Sequence, residues 1–109
     1  MPVIILPEVL EYFEELAEIL YEKEYFGFEE TALSYVIELY DNIIANLPHK
    51  LHKVAPKHFD KYGKGMKYAV FRKNRQTGWY VFFKTYRKND EIIYVVRYIA
   101  NNHIIAQHL

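Results

Sequence analysis

The chain has no cysteine among its 109 residues, which excludes a disulfide framework, thiolate metal sites and cysteine nucleophiles. Glycine and proline are scarce, four of each, so Gly/Pro-rich linkers and collagen-like segments are excluded as well. No apolar run is long enough to cross a bilayer. The opening run from Met1 to Pro7 is too short for an export-signal core and has no positive flank before it. The expectation is a soluble cytoplasmic protein with no membrane partner.

Net charge is also lacking, since 14 basic residues balance 14 acidic ones. That balance hides a segregation. Residues 1–48 hold eleven acids against the single Lys23, a net of −10. Residues 49–109 hold thirteen bases against Asp60, Asp90 and Glu91, a net of +10. One half repels phosphate and the other attracts it. What is abundant is aromatic: eleven tyrosines and seven phenylalanines within a hydrophobic fraction of 51%. Such a composition specifies a folded chain, and its length fits a single domain over 1–109.

Pro2 to Leu6 is a short apolar run bounded by prolines, suited to a strand. Pro7, followed by Glu8 and Glu11, starts a helix expected to reach residue 24. Val9, Phe13, Leu16 and Leu20 form its core stripe, while Glu8, Glu11, Glu15, Glu18 and Glu22 form an acidic stripe on another face. That acidic stripe suits solvent, basic residues of the same chain, or the basic half of a second copy in a homodimer. After Gly27, Ala32, Val36, Leu39, Ile43 and Leu47 repeat the helical spacing until Pro48 ends it. Residues 49–65 are basic and irregular. Three strand-like runs follow, at 66–73, 79–86 and 91–99, separated by turn chemistry at 74–78 and 87–90.

The order predicts an α+β two-layer sandwich, β-α-α-β-β-β, in which an N-terminal strand and an antiparallel helical hairpin pack on a mainly antiparallel meander. The second sheet face is expected to be free and to carry the function on its surface or rim. His49 and His52 are three apart, but no third ligand follows at useful spacing, so neither a metal site nor a cofactor is expected.

This element order, together with Trp79-Tyr80-Val81-Phe82-Phe83 and the closing Arg97-Tyr98-Ile99-Ala100-Asn101-Asn102-His103, resembles the RelE/ParE superfamily of type II toxin–antitoxin modules, in its plasmid-stabilisation subgroup. The resemblance implies a growth-arresting toxin neutralised by a cognate antitoxin protein. It leaves two targets open: cleavage of mRNA on the ribosome, or poisoning of DNA gyrase. A non-catalytic binding module that retains the fold is the alternative from a different class.

As an endoribonuclease, such a toxin works without a metal. The RNA 2′-hydroxyl attacks the adjacent phosphate, which needs a base, a cation and an acid. By position in the resemblance, Arg72, Arg97, Tyr98 and His103 are the catalytic candidates. Arg97 alternates in step with Ile93, Val95 and Ile99, so the reading puts a charge on an apolar strand face. Lys64, Lys67, Lys73, Arg75 and Lys84, interleaved with aromatics, are the candidates for contact with nucleic acid.

Overall fold

The computed structural model describes residues 2–22, 29–73 and 77–101. Its elements run β1 (Val3–Ile5), α1 (Pro7–Glu22), α2 (Glu29–Asn46), β2 (Lys53–Val54), β3 (Lys67–Arg72), β4 (Gly78–Lys88) and β5 (Glu91–Asn101). Short 3-10 helices occupy Leu47–His49 and Lys57–Tyr62. The five strands form one sheet in the order β1-β5-β4-β3-β2, with β1 parallel to β5 and the other neighbours antiparallel. The α+β architecture is the one the sequence order implies, with β2 as an added edge strand. No helix among the described residues is long and apolar enough to cross a membrane.

Helical periodicity decides what faces the sheet. Val9, Phe13 and Leu16 of α1 and Val36, Leu39 and Ile43 of α2 are buried against Phe71, Trp79, Val81, Phe83 and Val96. Trp79 ties the layers together, because its Nε1 donates to the Tyr35 hydroxyl at 2.9 Å. Burying an indole without such a partner would cost the desolvation of its N–H. Lys73 closes the same corner: its ammonium lies 4.8 Å from the Tyr35 ring centre and 3.5 Å from Glu38.

The β4–β5 hairpin outruns the lengths read from sequence because its loop needs only two residues. Asn89 and Asp90 both adopt positive φ, 52° and 63°, the signature of a type I′ turn whose twist matches that of the strands. Arg87 and Lys88 are therefore strand, and the turn chemistry contracts to Asn89-Asp90.

The second sheet face departs from the expectation that it is free. Phe59, from the 3-10 helix Lys57–Tyr62, stacks on Phe82 with ring centres 4.5 Å apart. Met66, Tyr68 and Ala100 complete a second buried cluster around it. The local chain makes this plug possible. Pro56 enters in extended conformation, the Phe59 amide donates to the Pro56 carbonyl at 3.0 Å, and Gly63 ends the turn at φ 154°. The sheet thus has an aliphatic-rich core under the helices and a smaller aromatic core on the other side.

Candidate functional site

The centre of the site is an irregularity in β5. Phe82 pairs with Tyr98 while its neighbour Phe83 pairs with Val96, so Arg97 is an extra residue opposite no partner. Such a bulge re-aims side chains. Below it, Tyr94 and Val96 face the helices; above it, Ile99 does too, opposite Val81 in the helical core. Arg97 and Tyr98 both turn to the other face. Strict alternation would have grouped Arg97 with Ile93, Val95 and Ile99. The bulge keeps Ile93 and Val95 beside it and sends Ile99 to the opposite side.

Arg97 is held at two points and carries one unsatisfied donor. Its stem runs under Gly63, so closely that a Cβ built there would lie 2.9 Å from Arg97 Cδ. Its Nη2 donates to the Tyr86 hydroxyl at 2.6 Å. Its Nε is buried with no hydrogen-bond partner among the described residues, a donor left unsatisfied in a dry setting. This is a cation fixed in place rather than one free to swing.

Tyr98 lies flat on Tyr62, ring centres 3.9 Å apart and planes 7° from parallel. Burial first, then the hydrogen bond with Tyr62 and the nearby charges of ionised Tyr62 and Tyr12, push its pKa up to about 12. Burial likewise raises that of Tyr12. At neutral pH these phenols keep their protons, so Tyr98 can donate a hydrogen bond and is unfit to act as a base; its raised pKa makes it a weaker acid than an ordinary tyrosine, one that gives its proton only to a more basic oxygen such as a leaving alkoxide.

Beside Tyr98, where β1 ends and the chain turns into α1, opens a cavity of about 550 Å³. Leu6, Glu8, Val9 and Tyr12 form one wall; Tyr62, Arg97, Tyr98 and Ile99 form the other. Outside that lining, the Lys61 ammonium lies 5.4 Å from the ring centre of Tyr62.

The remaining sequence candidates do not converge here. Arg72 is exposed at the end of β3, in a separate depression of about 260 Å³ with Lys50, Lys53, Tyr68 and Val70. β4 lies between it and Arg97. Lys64 and Lys67 are exposed, but Lys67 pairs with Phe83 and so leaves the sheet on the helical side. Lys84 pairs with Val95 on the Arg97 side. Lys73 is engaged by Glu38 and Tyr35. His103 and Arg75 lie outside the described residues. His52 is built into the fold: its Nε2 is 2.9 Å from the Leu47 carbonyl and its ring meets Phe83 edge-on. Among the described residues no group of three ligand-type side chains converges on one point.

Reading the sequence missed Glu8 and Tyr12 as members of this site. Tyr12 carries a weak signal, an aromatic with a polar tip flanking the Val9–Phe13–Leu16 stripe. Glu8 carries none, because it reads as a helix-start acid.

No family model, no curated protein and no solved structure matches the chain.

Proposed function

We propose that the chain is the toxin of a RelE/ParE-like toxin–antitoxin module, arresting growth by cutting mRNA on the ribosome and held in check by a cognate antitoxin. The observation that carries this reading is the bulge that sets a fixed guanidinium, Arg97, next to a phenol that keeps its proton, Tyr98, on the basic side of the sheet. In the reaction, the 2′-oxygen bonds to phosphorus and the bond to the 5′-oxygen breaks, leaving a 2′,3′-cyclic phosphate. Arg97 offsets the charge that grows on the phosphoryl oxygens, and Tyr98 delivers the proton the leaving 5′-oxygen takes up. The 2′-proton needs a base, a role that suits the imidazole of His103, a catalytic candidate by position in the resemblance.

The test is induced expression without antitoxin, wild type beside Tyr98→Phe. Arrest by the wild type, with RNA fragments ending in cyclic phosphate, and its loss in Tyr98→Phe are expected. Normal growth with folded wild-type protein would sink the reading.

One observation favours the binding-only alternative: Arg97 is already engaged by Gly63 and Tyr86. If arrest survives Tyr98→Phe without RNA cuts, target binding replaces cleavage, and trapped DNA breaks would identify gyrase.

A further inference from the structure

The cavity beside Tyr98 is larger and more apolar than a phosphate needs, and it contains a carboxylate that a phosphate would avoid. We propose that it receives one unstacked base of a single-stranded nucleic acid and that Glu8 selects guanine. The proposal rests on the nucleic-acid reading above and adds a site and a preference to it.

Three features point the same way. First, about 550 Å³ holds a nucleoside, and a base can enter only when it is out of a duplex. Second, the walls suit a flat apolar ring: Leu6, Val9 and Ile99 provide apolar surface, Tyr12 adds an aromatic ring, and Tyr62 and Tyr98, stacked on each other, extend the aromatic wall. Third, the charges are arranged by sign. Arg97 and Lys61 are the cations placed to hold the flanking phosphates, whereas Glu8 in the first turn of α1 is the acid that lines the cavity.

A carboxylate accepts two hydrogen bonds from adjacent donors and repels acceptors. The Watson–Crick edge of guanine offers N1–H and the 2-amino group side by side. Adenine, cytosine and uracil each present a ring or carbonyl acceptor beside their donor. Glu8 therefore favours guanine by the same logic that lets a carboxylate read a base donor in a groove.

The experiment is a titration of isotopically labelled full chain with guanosine, adenosine, cytidine, uridine and inosine 5′-monophosphates, followed by NMR. Guanosine monophosphate is expected to shift the resonances of Tyr12, Tyr62 and Tyr98 and to bind about tenfold more tightly than the adenosine form. Inosine monophosphate, which keeps N1–H and lacks the amine, falls between them. In Glu8→Gln the guanine preference disappears while binding persists. Glu8 is exposed, so this variant keeps the fold, which circular dichroism verifies.

Equal affinity for all four bases, no binding at millimolar nucleotide, or shifts mapping away from the three tyrosines would overturn the proposal. The readout is independent of growth. Arrest without base preference removes this site and leaves the toxin reading standing, whereas base preference without arrest does the reverse.

Discussion

The two faces of the sheet are built from different materials. Under the helices, Val9, Leu16, Val36, Leu39, Ile43, Val81 and Val96 interlock with a few aromatics. On the other face, Phe59 stacks on Phe82, Tyr62 on Tyr98 and Tyr68 on Tyr80. Aliphatic packing is shape-locked and dry. Tyrosine stacks combine burial with hydroxyls that need partners. It is on the aromatic face that the bulge, the buried Arg97 Nε with no partner among the described residues, and the raised pKa of Tyr98 occur. One face fixes the fold, and the other tolerates the irregularities from which a site is made.

The sharpest way to break this comparison is to empty each core in turn. Phe83→Ala, under the helices, should cost about 4 kcal/mol, and Phe59→Ala, on the other face, about 3 kcal/mol, measured by urea denaturation. The qualitative difference matters more: Phe59→Ala should keep native helical circular dichroism, because the Lys57–Tyr62 plug detaches without the helices. Collapse of both signals together would show a single core.

Next in size is Gly63→Ala. The new methyl meets Arg97 Cδ at 2.9 Å in a backbone conformation unfavourable to side chains, for a loss of about 2 kcal/mol. The Arg97 Nε–H resonance should move. An unmoved resonance would mean that Gly63 does not hold the guanidinium.

The pH dependence is smaller and one-sided. The folded pKa of Tyr98 is raised to about 12 from 10.0. The folded state therefore holds this proton more tightly than the unfolded chain does. Its contribution to stability is intact below pH 10 and is lost as pH rises through about 12. Tyr98→Phe should flatten the alkaline fall of the urea midpoint between those limits, and at pH 7 to 9 it should lower the midpoint by a constant amount without changing its pH dependence. An unchanged alkaline slope would place the perturbed titration elsewhere. Smallest of all, Asp90→Gly relieves a positive φ of 63° in the hairpin turn and should stabilise by about 0.5 kcal/mol. It lies far from both cores and should shift the midpoint without altering either core's response.

The fold was largely readable because its elements are periodic. The spacing of Val9, Phe13 and Leu16 gave a helix face, and the turn residues 87–90 between two β-rich runs gave a hairpin. The second core was hidden because residues 49–65 have no period: Leu51, Val54 and Phe59 all read as apolar anchors there, yet only Phe59 is buried and the other two are exposed. The bulge was hidden for the opposite reason. Ile93, Val95, Arg97 and Ile99 alternate so regularly that the pattern reads as unbroken strand. The break shows only in the register against β4. The cavity joins the start of α1 to the end of β5, residues 6–12 with 97–99, a juxtaposition no local pattern encodes. Of the proposed catalytic set, the structure puts Arg97 and Tyr98 together and leaves Arg72 across β4.

The separation of acid from base has a mechanical meaning. The exposed acids, Glu11, Glu14, Glu15, Glu18, Glu30 and Asp41 among them, ride on the helices, while Lys57, Lys61, Lys64 and Lys88 stand on the loop-and-sheet side. With no net charge, the molecule is scarcely drawn toward a distant polyanion. A polyanion at close range instead exerts a torque on it. The helices are turned outward and the aromatic face inward before any contact forms, and the effect fades within about 10 Å at 0.1 M salt. Orientation, not attraction, is what this charge pattern supplies.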